Sequence, residues 1–122
     1  MSAVLTVDDS SSIRVAIRIA LSGAGYSVSE AENGADGLRK ADAGAFDLII
    51  TDLNMPVMDG LTFIKAVRTR EAHRFTPILM LTTESQADSK AQGKAAGATG
   101  WLVKPFNPEM LLQVIAKVVR TS

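Results

Sequence analysis

The sequence has no cysteine, which excludes disulfides and thiol chemistry and fits a reducing compartment. Its 13 basic residues balance its 13 acidic ones, leaving no electrostatic footprint for nucleic acid or an anionic membrane surface. No apolar run reaches the length that spans a bilayer. Residues 1–7 are too short for a signal peptide before carboxylates follow. No linker, repeat or low-complexity stretch divides the chain. A cytoplasmic protein forming one domain over residues 1–122 is therefore expected. A chain of this length buries roughly two thirds of the surface it exposes unfolded.

What is present is a regular alternation of short apolar runs and longer amphipathic ones. Strands are expected over 3–7, 26–31, 48–52, 77–82 and 99–103. Between them, Ile13, Ala16, Ile17, Ala20 and Leu21 recur at helical spacing, with Ser10, Ser11 and Ser12 as cap candidates. A second helix carries Leu38 and Ala41, and a third carries Leu61, Ile64, Ala66 and Val67. The fourth, over 86–96, offers only Ala87, Ala91 and Ala95 as core residues. Gly93 inside it costs about 1 kcal/mol against alanine, so this helix is expected to bury little and to be weakly held. Asn107 and Pro108 open a fifth helix with Leu111, Val114, Ile115 and Val118 on its apolar face. Leu112 and Val119 widen that face and read as ordinary packing. Five strands alternating with five helices imply an α/β fold, a right-handed, doubly wound parallel sheet.

The chain is organised around residues 46–60. Leu48, Ile49 and Ile50 form a continuous apolar run, as in a strand buried on both faces. It ends at Asp52, and Asn54, Pro56, Asp59 and Gly60 follow as turn chemistry, with Asp59 read as a helix cap. Ligands bind at the carboxyl edge of such sheets. That edge would gather Asp8 and Asp9 after the first strand, Asp52 after the third, Thr82 and Thr83 after the fourth, and Lys104 after the fifth. Three carboxylates repel one another in a partly desolvated site, and one lysine offsets only part of their charge. A hard divalent cation with oxygen ligands, Mg²⁺, answers that repulsion. A carboxylate beside a cation, an ammonium and a hydroxyl is equipped for phosphoryl transfer through an acyl phosphate.

These positions resemble the receiver domain of two-component response regulators, most closely its stand-alone chemotaxis type, and the resemblance covers essentially the whole chain. It implies a flavodoxin-like (βα)5 fold with strand order 2-1-3-4-5. It further implies phosphorylation of Asp52, Mg²⁺ held by Asp9, Asp52 and the Asn54 carbonyl with Asp8 acting through water, Thr82 as switch hydroxyl, and a cis bond between Lys104 and Pro105. Two positions depart from the family pattern. Trp101 stands where a smaller aromatic changes rotamer, and Thr83 stands where a very small residue is usual.

Asn54 and Glu84 are placed to orient a water on the phosphoryl group and so to tune dephosphorylation. His73, the sole histidine, falls in a polar loop and reads as solvated; a phosphohistidine donor then belongs to another protein. The expected partners are a histidine kinase and a target bound through the face of the fourth helix, fifth strand and fifth helix, with the protein itself a monomer. Output is motor or chemotaxis control, or draining phosphate from a shared kinase as a sink or relay intermediate. A phosphohydrolase with an aspartyl-phosphate intermediate would need a second acid where Asn54 stands. A flavin carrier would need a phosphate loop where Asp8 and Asp9 would repel it.

Overall fold

The computed structural model describes residues 2–83 and 87–120. In chain order the elements are β1 (Ala3–Val7), α1 (Ser11–Gly23), β2 (Ser27–Ala31), α2 (Gly34–Ala43), β3 (Leu48–Asp52) and α3 (Gly60–Arg68). A 3₁₀ turn (Glu71–His73), β4 (Ile78–Thr83), α4 (Ala87–Ala96), β5 (Gly100–Lys104) and α5 (Pro108–Arg120) complete the chain. All five strands pair in parallel in the order β2-β1-β3-β4-β5. This is the doubly wound, flavodoxin-like (βα)5 fold. Element ends agree with the sequence reading to within about two residues, the usual ambiguity of frayed termini.

Alternation along the strands builds two cores, one on each face of the sheet. Leu5, Val7, Ile49, Ile78 and Met80 pack with Ala41, Phe63, Ile64, Val67 and Ala96 from α2, α3 and α4. Val4, Leu48, Ile50, Leu79 and Leu81 pack with Ile17, Leu21, Leu111 and Ile115 from α1 and α5. Leu112 and Val119 lie partly buried against this second cluster. Ser10 caps α1, its hydroxyl accepting from the Ile13 amide at 3.3 Å, and Asp59 caps α3 through the Thr62 amide at 2.8 Å.

Two expectations are corrected. In α4 the residues that face the core are Gly93 and Ala96, while Ala91 and Ala95 are exposed. Gly93 lies directly against Met80, and a Cβ there would meet that side chain's Sδ and Cε, so an alanine would force the methionine to shift. His73 is not a solvated loop residue but 1% exposed. Its Nε2 lies 2.9 Å from the Ala41 carbonyl, its Nδ1 3.1 Å from the Thr76 hydroxyl, and its ring stacks on Phe46 with centroids 6.3 Å apart. Facing a carbonyl, Nε2 carries the proton and Nδ1 accepts from Thr76. Both nitrogens are satisfied, which removes the penalty for burying them.

Candidate functional site

The parallel sheet delivers Asp8, Asp52, Thr82 and Lys104 to one edge. Asp8 follows β1 and is fully buried, whereas its neighbour Asp9 is exposed. Asp52, the last residue of β3, is 9% exposed. One carboxylate oxygen from each of Asp8, Asp9 and Asp52 lies within 4.8 Å of the others. Lys104 ends β5, and its Nζ stands 3.0 Å from Asp52 Oδ1 and 3.6 Å from Asp8 Oδ2. The first distance is a charge-assisted hydrogen bond; the second is within ion-pair reach only.

The two oxygens of Asp8 have different surroundings. Oδ1 accepts from the Ser10 amide at 2.9 Å, while Oδ2 is buried with no hydrogen-bond partner among the described residues. Burial pushes the Asp8 carboxyl above its ordinary pKa. The Ser10 amide opposes that shift, the Asp52 charge adds to it, Lys104 opposes it and Asp9 adds a little more. Arg14 braces the turn from beneath: Nη1 donates to the Asp8 carbonyl, and Nε pairs with Glu30 at 3.3 Å. An arginine one turn into a helix reads as a surface residue, so nothing in the residue pattern marks this brace.

Thr82 is buried, pairs in register with Val103 and directs its hydroxyl to the Thr83 carbonyl at 3.1 Å. Thr83 is exposed at the strand end, in register with Lys104. Asn54 is exposed two residues beyond Asp52. Glu84 lies outside the described residues. The Lys104–Pro105 peptide is cis. Trp101 is 42% exposed on β5, away from the acidic pocket, with Lys90 Nζ of α4 5.9 Å from its ring centroid. With Thr99, Gly100, Val114, Lys117 and Val118 it lines an open groove of about 370 Å³ between β5 and α5.

A buried, orphaned carboxylate oxygen beside two further carboxylates is the donor set that a hard cation satisfies, so the residues fit a divalent ion. Together, fold and site define a flavodoxin-like domain with an acidic pocket at the carboxyl edge of its sheet and a lysine reaching into it. The response regulator receiver domain model matches residues 4–116, and the chain belongs to that family. It is similar to the chemotaxis protein CheY1 of Helicobacter pylori, 41% identical over 120 residues and covering 97% of both chains. The solved structure of the chemotaxis response regulator CheY4 of Vibrio cholerae superposes with a TM-score of 0.93 at 56% identity, over 97% of this chain and 98% of that one. The transcriptional regulatory protein ResD of Bacillus subtilis is 39% identical over 120 residues, and there the chain spans only 49% of the relative's length. Among the described residues no helix is long and apolar enough to cross a membrane.

Proposed function

We propose that the protein is a phosphorylation-switched signalling module of the CheY type, accepting a phosphoryl group on Asp52 from a histidine kinase. The observation that carries this reading is the approach of Lys104 to Asp52 at 3.0 Å, inside a cluster of three carboxylates. The Asp52 carboxylate forms the new oxygen–phosphorus bond as the donor's nitrogen–phosphorus bond breaks. Lys104 then turns from the carboxylate to the phosphoryl oxygens, and the Thr82 hydroxyl leaves the Thr83 carbonyl to donate to them, because a dianionic acceptor is the stronger one.

Asp9, Asp52 and the Asn54 carbonyl would hold Mg²⁺, with Asp8 acting through water. When bound, the ion supplies the positive charge that lets an anionic donor approach three carboxylates. The protein is a switch rather than an enzyme with its own substrate turnover. Asn54, exposed beside Asp52, positions water for self-dephosphorylation, giving a lifetime of seconds to minutes.

The signal leaves through α4, β5 and α5 to a target protein. The similarity to CheY1 and CheY4 supports chemotaxis as the pathway, in the cytoplasm. Acetyl phosphate with Mg²⁺ tests the reading directly. One acyl phosphate should form on the parent and none on Asp52→Asn or in the presence of a chelator, as intact-mass and acid-lability measurements would read it. Labelling of the Asp52→Asn variant would overturn the assignment.

A further inference from the structure

Arg68 closes α3, and among the described residues its guanidinium donates to main-chain carbonyls. Nε and Nη2 donate to Gly97 at 3.0 and 2.8 Å. Nη1 donates to His73 at 2.9 Å and Thr76 at 2.6 Å, with the Arg74 carbonyl at 3.3 Å. One side chain thus joins the end of α3, the loop entering β4 and the turn that ends α4. Gly97 is built for this contact. Its φ of +120° suits glycine, and a Cβ there would lie 2.8 Å from Arg68 Cγ.

The end of α4 is itself closed by a Schellman arrangement. The Gly97 amide lies 3.1 Å from the carbonyls of Gly93 and Lys94, and the Ala98 amide 2.9 Å from that of Gly93. A cation at the negative end of a helix is favourable as well. From this anchored end, α4 reaches two groups that bear on the signal. Gly93 sits against Met80, two residues before Thr82 on β4, and Lys90 stands over Trp101 on β5.

We propose that Arg68 is a positioning residue that pins the Gly97 end of α4, so that the helix answers events in the acidic pocket by pivoting about that end. The inference rests on the phosphoacceptor reading for the motion and on the hydrogen bonds alone for the pin. Lys90 is seven residues from Gly97, about 10 Å along the axis, so a turn of about 10° carries it roughly 2 Å. Gly93 is little more than half as far from the pin and moves proportionately less. The displacement is therefore concentrated where Lys90 meets Trp101.

Arg68→Met keeps the aliphatic stem and removes the donors. In the ligand-free protein, the Gly97 and Ala98 amides should exchange with solvent at least about tenfold faster than in the parent. Beryllofluoride with Mg²⁺, titrated by amide NMR shifts near Asp52, should bind within about threefold of the parent's affinity while the Trp101 fluorescence response falls below about half. Val67→Ala, a buried neighbour, controls for lost stability and should keep the full response. Arg68→Lys, which retains the charge but not the fork, should fall between, and replaces the methionine variant if that one does not fold. A full Trp101 response in Arg68→Met, or an equal loss in Val67→Ala, overturns the pivot. If the parent itself fails to bind beryllofluoride, the phosphoacceptor reading falls; unchanged exchange at Gly97 and Ala98 then overturns the pin on its own.

Discussion

Gly93 of α4 rests directly on the sulfur of Met80 in β4, with no room between them for a methyl group. Helix propensity alone would reward Gly93→Ala by about 1 kcal/mol. Overpacking a closed contact costs about 1–3 kcal/mol. The collision should win, and Gly93→Ala should lower the urea midpoint. Shortening the neighbour with Met80→Val should make the same alanine neutral or stabilising. Additive effects of the two substitutions would disprove the contact.

The Thr6 hydroxyl is fully buried in β1 with no hydrogen-bond partner among the described residues. Valine has the same shape without the orphaned group, so Thr6→Val should stabilise the fold by about 1 kcal/mol in denaturant unfolding. A loss of stability would mean that the hydroxyl is satisfied in solution.

His73 gives a sharper contrast. A solvated loop histidine can be replaced within about 0.5 kcal/mol. A buried one with both nitrogens bonded and its ring on Phe46 cannot. His73→Ala should cost about 2–4 kcal/mol. A Tm within a degree of the parent's would return His73 to the surface.

Asp8 makes stability depend on pH with a definite sign. Its folded-state pKa is raised, chiefly by burial, so the folded protein resists holding the charged form. The penalty is present in full above the raised pKa and is relieved as pH falls through it toward the unfolded value near 3.8. With chelator present, Asp8→Asn should be more stable than the parent at pH 7, by on the order of 1 kcal/mol. That advantage should shrink as the buffer is acidified through the raised pKa. An advantage that grows toward acid would contradict the assignment.

The strands and the strand-end residues were legible because a parallel sheet puts every carboxyl end on one edge. Asp8, Asp52 and Lys104 converge wherever the loops run. The residues that escaped work through the backbone or through absence of a side chain. Gly93 packs by lacking a Cβ, which hydrophobic periodicity cannot register. His73 is buried by partners on α2 and in its own loop, and a polar stretch of sequence conceals them. Arg68, and Arg14 in its contact with Asp8, bond to main-chain carbonyls, which every residue has, so no pattern of residue types marks those targets.

The position of Lys104 between Asp8 and Asp52 also bears on the order in which the pocket fills. Three carboxylates and one ammonium leave a formal charge of −2. A divalent cation cancels that charge, whereas a phosphoryl group on its own deepens it. On the phosphoacceptor reading, a bound cation would therefore favour the approach of an anionic donor, and a phosphoryl group would in turn strengthen cation binding. On that reading the pocket would act as a coincidence detector. Its single lysine offsets only one of the three carboxylate charges, so a donor arriving without the ion would meet a repelling surface.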